Sequence, residues 1–540
     1  MPPEQPADTI GAAFAAAVTA HAGRAFLAVP ANPGRDYLPE GIEITYATAG
    51  EAVTRLAAAY AAAGFGAGHR VATLLENRPE AVLHRLALNG LGACVVPVNP
   101  DYRPAEIAYL VDHSRPDLLL VLAAREDAVR GAIAGCAHRP PLLAAETFPA
   151  GLRAPVRPPS TAAIGPETPS SILYTSGTTG RPKGCVLSHG YELASGARYA
   201  GLGGIATLRP AGERIYNPLP LYHVNAGVLS LMGAMLTGNC QVQPDRFHPR
   251  RWWREVAANR ATIVHYLGVV AAMLMNEPPG EEALAAGLRC GIGAGIEPTL
   301  HAAFEARFGF PMIEIWGMTE MVRVTADSTE PRQVGTRAFG RAYPGLEIRV
   351  ADDAGEAVPD GTPGEMLIRH SAATPRRGFF SGYLDDPAAT EAAWRGGWFH
   401  TGDAVRRSPD GMVHFVDRRK NIIRRSGENI AAAEVEAALL AHPDVSQAAV
   451  MAVPDEVREE EVLACVVLAR DMPGEEAARM LFVHVNAALA YYKAPGWLLV
   501  VDSLPTTATQ KIQKHAIFPG VADPRATPGI IDLRGAKRRG

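Results

Sequence analysis

The sequence predicts an α/β protein: a large N-terminal layered α/β domain with a small β-rich subdomain, followed by a smaller α+β C-terminal domain. Three observations carry this. Helix-length stretches alternate with short apolar runs from Thr45 to Val121, the pattern of parallel strands joined by crossover helices. Between Gly340 and Val416 the runs shorten and are punctuated by Gly, Pro and Asp, the texture of a small β-rich fold. A charged stretch, Asp417-Arg418-Arg419-Lys420, then precedes an independent set of helices and strands.

Taken in order, helices are expected at Glu51–Ala63 and Arg78–Leu91, with strands at Arg70–Leu75 and Ala93–Val98. The same rhythm returns at Arg214–Leu219, Ala261–Tyr266 and Leu288–Gly291. Strands of the β-rich part are read at Glu347–Val350, Glu365–Arg369 and Met412–Val416. The last domain holds a helix at Ala432–Ala441, strands at Val445–Val453 and Glu461–Leu468, another helix, and a strand at Trp497–Val501. The boundaries that follow are 1–417 for the first domain, 418–420 for a hinge and 421–522 for the second domain. Residues 523–540, rich in Pro, Gly and Arg, are expected to be a flexible tail.

Composition narrows the function. The chain has 540 residues, 48% hydrophobic and 20% charged, enough for a large core in at least two domains. Its formal net charge of -4 provides no excess of cations for a nucleic-acid backbone, so nucleic acid is not expected as a partner. The six cysteines lie far apart without zinc spacing and read as reduced, buried thiols. No basic, apolar leader opens the chain, and apolar runs such as Val224–Leu236 fall short of the ~20 residues that span a bilayer. A cytoplasmic protein without membrane insertion is expected, and a homodimer is left open.

The most informative segment is Tyr174-Thr175-Ser176-Gly177-Thr178-Thr179-Gly180-Arg181-Pro182-Lys183-Gly184, after an apolar run and before a helix-compatible stretch. Small residues let backbone approach an anion, hydroxyls and amides can surround phosphate oxygens, and Lys183 adds a point charge. Composition alone would describe a surface loop equally well. The spelling is neither GxGxxG nor a Walker loop. In Ile315-Trp316-Gly317-Met318-Thr319-Glu320 an aromatic face can stack on a purine while Thr319 and Glu320 offer the hard oxygens that magnesium takes. Asp403, after Gly402, can accept from both hydroxyls of a ribose, or can simply be a turn residue.

These blocks, with Trp398-Phe399-His400-Thr401-Gly402-Asp403, Gly427-Glu428-Asn429 and Leu504-Pro505-Thr506-Thr507-Ala508-Thr509-Gln510-Lys511, resemble the signatures of the AMP-forming superfamily of acyl-CoA synthetases, luciferases and nonribosomal adenylation domains. They occur in family order, and the resemblance extends from about Thr45 to Ile517. It implies that Thr175, Ser176, Gly177, Thr178, Thr179, Gly180 and Lys183 bind phosphate. Gly293-Ala294-Gly295, Trp316, Gly317 and Met318 lie by adenine, and Thr319 and Glu320 serve phosphate and metal, with Thr175 as a second metal contact. Asp403 and Arg418 hold ribose, and rotation of a mobile second domain about Lys420 presents first Lys511 and then the loop at Gly427 to one pocket. Lys511 matches the lysine that reaches the carboxylate during adenylation, although Gln510 stands where the family usually has Gly.

ATP, magnesium and coenzyme A are the implied cofactors and a small carboxylic acid the implied substrate. The acid would attack ATP to give an acyl-adenylate, and a thiol would then take the acyl group without a protein nucleophile. The lack of room for a following carrier domain favours free coenzyme A as acceptor, and residues 417–436 look closest to the carnitine/crotonobetaine-CoA ligase branch. Loading of a carrier protein in trans and an inactive nucleotide-binding scaffold are the alternatives. The segment Pro218–Asn225 matches a stretch lining the acyl pocket, with His223 as the candidate for a residue near the carboxylate, although a structural histidine fits the same pattern.

Overall fold

The alternating apolar runs pair as parallel strands. The computed structural model describes residues 7–175, 182–278, 285–418, 421–425, 428–455, 458–489, 491–507, 511–521 and 523–537. The chain divides into two units, Met1–Glu347 with Arg369–Gly397, and Ile348–Ile368 with Trp398–Gly540.

Unit 1 is built on two sheets. The seven-stranded sheet runs in the order Gly382–Tyr383, Lys183–Ser188, Pro169–Thr175, Cys94–Pro97, Arg70–Leu74, Leu118–Val121 and Leu142–Ala144. Its last five strands are parallel and the first two pair antiparallel. Leu118–Val121 is apolar throughout because both faces are covered: Leu118 and Leu120 pack with Val71 and Leu88, while Leu119 and Val121 pack with Ala72 and Ile107. The eight-stranded sheet is parallel from Met312–Met318 through Cys290–Ala294, Ile263–Leu267, Arg214–Tyr216 and Cys240–Val242 to Ala25–Val29, with one antiparallel strand at each edge.

The expected helices are present with shifted ends. Tyr46–Ala62 begins earlier than its apolar period because Thr45 caps it, its hydroxyl accepting from the Thr48 N–H at 3.1 Å. Pro79–Gly90 starts on its proline. The apolar run after His223 forms a π-helical turn, Asn225–Ser230, that continues into the helix Leu231–Thr237 and is buried. Among the described residues no helix is long and apolar enough to cross a membrane, and all six cysteines are buried and free.

Unit 2 holds a four-stranded sheet, Glu347–Ala351, Gly364–Arg369, Phe399–Arg407 and Val413–Arg418, and a six-stranded sheet containing Val445–Asp455, Glu459–Leu468 and Trp497–Val500. The β-rich strands therefore group with the C-terminal part, whereas the sequence reading placed them before the hinge. Lys420 itself lies outside the described residues. The tail is a correction. Ile531–Asp532 adds a strand to Trp497–Val500, Leu533 is buried, Arg534 pairs with Asp455 at 3.0 Å and Lys537 with Glu461 at 2.5 Å. A Pro/Gly/Arg composition concealed this because the apolar run is short, Ile530, Ile531 and Leu533 packing on the core beside a two-residue strand and the ion pairs.

Candidate active site

The strands Pro169–Thr175 and Lys183–Ser188 form an antiparallel hairpin in which Thr175 faces Lys183. The loop between them, with Ser176, Gly177, Thr178, Thr179 and Gly180, lies outside the described residues, so the structure fixes its two ends. At those ends Thr175 and Lys183 are half-buried, and the Thr175 hydroxyl is 3.9 Å from the Cys185 sulfur.

A second hairpin brings in the acid. Met312–Met318 and Met321–Ala326 pair with Met318 opposite Met321, leaving Thr319 and Glu320 as the two-residue turn. The Tyr191 hydroxyl donates to the Thr319 carbonyl at 2.7 Å, and the Phe380 N–H donates to the Glu320 carbonyl at 3.0 Å. Glu320 is buried, and its Oε1 accepts from the Tyr383 hydroxyl at 2.8 Å. The Lys183 ammonium sits 4.7 Å from the centre of the same tyrosine ring. Burial, then the neighbouring Glu320 carboxylate, pushes the Tyr383 and Cys185 pKa values up, so both keep their protons.

The strand Pro169–Thr175 rests on a buried ion pair. Glu192 Oε1 accepts from the Ser170 and Ser171 hydroxyls at 2.7 Å each, and Glu192 Oε2 accepts from Arg85. The other arm of Arg85 donates to the Gly227 carbonyl at 2.6 Å. The loop ahead of Gly227 carries His223 and stands on uncharged groups instead. Asn217 donates to Asn225 at 3.0 Å and to Ser230 at 2.9 Å, Ser230 to Gln241 at 2.9 Å, and Gln241 to Gln243 at 2.8 Å. His223 is exposed at the surface, yet the protein packed around it desolvates the imidazole enough to lower its pKa to about 4. It is a neutral imidazole at pH 7.

Gly293 and Ala294 end the strand Cys290–Ala294, and Gly295 follows with φ +81°. A Cβ on Gly293 would lie 2.2 Å from the Tyr266 carbonyl, so close strand packing explains that glycine. The Gly295 and Ile296 N–H groups donate to the Glu314 carboxylate at 3.0 and 3.1 Å, which fixes the loop. Trp316 is buried beside Phe339, ring centres 6.0 Å apart, while Gly317 is exposed and Met318 half-buried.

In unit 2, Asp403 and Arg418 are directly opposite on antiparallel strands, and Asp403 is buried. Gly402 has φ +70° and donates to Glu365 at 3.2 Å. Lys511 is exposed, and its carbonyl accepts from the Thr507 N–H at 2.8 Å. Gly427 and Gln510 lie outside the described residues.

Sequence reasoning missed Tyr383, Cys185, Arg85, Glu192, Tyr191 and Glu314. Cys185 shares the strand face of Lys183 by its spacing of two, a usable signal. Tyr383 gave none, because its strand pairs with Lys183–Ser188 from far along the chain.

The profile of the AMP-binding enzyme family matches residues 15–384, and that of the AMP-binding enzyme C-terminal domain matches residues 434–511. The chain is 32% identical to a sulfoacetate–CoA ligase of Cupriavidus necator over 89% of its own length and 94% of that protein. It is 30% identical to a crotonobetaine/carnitine–CoA ligase of Salmonella paratyphi A, over 88% and 93%. Among solved structures, an ATP-bound RpMatB-BxBclM chimera superposes with a TM-score of 0.80 at 26% identity, covering 94% of this chain and 98% of the chimera.

Proposed function

The chain belongs to the AMP-binding enzyme family and is an AMP-forming acid–CoA ligase, and from that premise we propose how its residues divide the work. The acid's carboxylate attacks the α-phosphorus of ATP and pyrophosphate leaves; the thiol of coenzyme A then attacks the acyl carbon and AMP leaves. The observation that carries the assignment is the corner where a cation, Lys183, and a buried carboxylate, Glu320, meet on one tyrosine beside the ends of the phosphate loop.

Lys183 supplies fixed positive charge toward the departing phosphates. Thr175 and Glu320 would hold magnesium: a hydroxyl and a carboxylate are the hard oxygen donors it takes, and Glu320 is already oriented by a hydrogen bond. When bound, the metal would neutralise charge on the phosphate oxygens. Asp403 and Arg418, paired across two strands, are assigned to the ribose, and Trp316, Gly317 and Met318 with the loop 293–295 to the base side. Neutral His223 is assigned to the acid, to which it would donate, or from which it would accept, without adding charge. Lys511 is assigned to the carboxylate in the first half-reaction.

The test is acid-dependent exchange of pyrophosphate into ATP across short, aromatic, sulfonated and quaternary-ammonium acids, followed by detection of the CoA thioester by mass. Exchange without thioester would move the acceptor to a carrier protein, and no exchange with any acid would overturn the ligase reading. Lys511→Ala is expected to lower exchange by about 10²–10³-fold while leaving thioester formation from preformed acyl-AMP nearly unchanged. Equal losses in both steps would remove Lys511 from the adenylation step.

A further inference from the structure

We propose that Tyr383 is a positioning residue that holds the two opposite charges of the phosphate corner in place through different parts of one side chain, its ring face under Lys183 and its hydroxyl on Glu320. The inference rests on the assignment of those two residues to phosphate and metal, and it goes beyond that assignment by naming what fixes them.

The geometry starts from the sheet. Gly382–Tyr383 is a two-residue strand on the edge of the seven-stranded sheet, with Tyr383 opposite Cys185 and Gly382 opposite Val186. Because side chains alternate along a strand, Lys183 and Cys185 share a face, and Tyr383, opposite Cys185, is a diagonal neighbour of Lys183 on that face. Flanking bonds prevent the short strand from sliding: Ser381 N–H to the Val186 carbonyl at 2.9 Å and Leu384 N–H to the Gly184 carbonyl at 2.7 Å. The Tyr383 N–H is held at 2.9 Å by the Thr390 hydroxyl, on the helix Pro387–Ala393, and its ring leans on Phe380 with centres 4.8 Å apart. The tyrosine is therefore placed by backbone and packing before either charged group reaches it.

Its two contacts are chemically distinct. The ring's negative face attracts the Lys183 ammonium without neutralising it, as a carboxylate partner would. The hydroxyl is a donor toward Glu320, which fixes the rotation of a carboxylate that has to present oxygen to a metal. A carboxylate oriented in this way is a member of a supported site, and removal of such a support typically costs 10- to 100-fold in metal affinity or activity.

Because the two contacts use different parts of the side chain, substitution separates them. Tyr383→Phe keeps the ring and deletes the hydroxyl. It is expected to raise the magnesium concentration for half-maximal exchange about 10-fold or more, with the ATP KM at saturating magnesium changed by less than about threefold, since the cation–π contact survives. Tyr383→Leu removes both contacts and should add a rise of roughly 3- to 30-fold in that KM. Manganese binding in the presence of ATP, followed by electron paramagnetic resonance on the full chain, reads the same site without turnover. It should weaken in both variants, and thermal melting of each variant identifies any general loss of structure. Unchanged manganese binding and magnesium dependence in Tyr383→Phe would overturn the proposal, as would losses in both variants that merely follow their melting temperatures. If the unsubstituted chain bound manganese and ATP but exchanged pyrophosphate with no acid, the ligase assignment would fail while the manganese comparison still decided the role of Tyr383.

Discussion

The strand Pro169–Thr175 and the loop that carries His223 both stand on buried polar side chains, but of different kinds. Under the first are a carboxylate and a guanidinium, Glu192 and Arg85, with Ser170 and Ser171 completing the set. Under the second are mainly amides and a hydroxyl, Asn217, Asn225, Ser230, Gln241 and Gln243, with the second arm of Arg85 reaching it only at the Gly227 backbone carbonyl. A buried ion pair is costly to desolvate and tolerates no missing partner, whereas an amide network loses stability one bond at a time. The difference teaches where the molecule depends on charge. The wall assigned to the phosphates rests on an all-or-none pair, and the wall assigned to the acid rests mainly on a neutral network.

The largest effect should come from splitting the pair. Arg85→Met leaves the Glu192 carboxylate buried without its counter-charge, and unit 1 should lose about 3–5 kcal/mol in urea denaturation followed by tryptophan fluorescence. Adding Glu192→Leu removes the orphan charge and should restore much of the loss. A single variant no worse than the double would show that the pair carries no such dependence, and the contrast between the two walls would collapse.

Acid comes next, and it acts through buried histidines. His84 lies on the same helix as Arg85 and bonds the Tyr60 hydroxyl at 2.9 Å; His265, on the strand Ile263–Leu267, bonds the Tyr199 hydroxyl at 2.6 Å. Burial lowers their pKa values to about 4 and about 3. Unfolded, both would titrate near 6.5, so below that pH the unfolded chain binds protons that the folded chain refuses. Stability is therefore lost as pH falls from about 6.5 toward 4, by about 2 kcal/mol per histidine at pH 5. Replacing His265 by Gln should flatten the pH dependence by one histidine's share, and an unchanged slope would remove that residue from the account.

How far these features could be read beforehand follows from the range of the interactions. The helices, the strands and the order of the two domains were legible because apolar periodicity is local, as at Arg70–Leu74 and Val445–Asp455. The placing of Thr175, Lys183 and Glu320 near one another was legible only through resemblance to a family. Their support was not legible at all, since Tyr383 arrives on a distant strand and Arg85 and Glu192 look like ordinary charges on helices. The tail was misread because its apolar residues, Ile530, Ile531 and Leu533, are too few to stand out from the Pro, Gly and Arg around them, and ion pairs and a strand register leave no compositional trace.

On the neutral side, Gln241→Leu should cost about 1–3 kcal/mol by orphaning the Ser230 hydroxyl and the Ala226 carbonyl. It should also raise the KM for the acid more than the KM for ATP, since the network supports the His223 loop. Equal changes in both constants would mean that the two walls are not separable in function.

The smallest effects give the most controlled comparison, because the same residue type occurs on each side. Ser171 and Ser230 are both fully buried, and each hydroxyl donates to one side-chain oxygen: Ser171 to the Glu192 carboxylate at 2.7 Å, Ser230 to the Gln241 amide at 2.9 Å. Deleting the hydroxyl removes the same atoms from each site, so the cavity terms nearly cancel and the acceptor's charge is what differs. Hydrogen bonds to charged groups contribute about 1.5–3 kcal/mol and neutral ones about 0.5–1.5. Ser171→Ala is therefore expected to cost about twice what Ser230→Ala costs. One correction works against this, since Ser230 also accepts from Asn217, but that amide keeps Asn225 as a partner and loses little. Equal costs in urea denaturation would mean that the Arg85 guanidinium already quenches the carboxylate so fully that Ser171 meets a neutral acceptor.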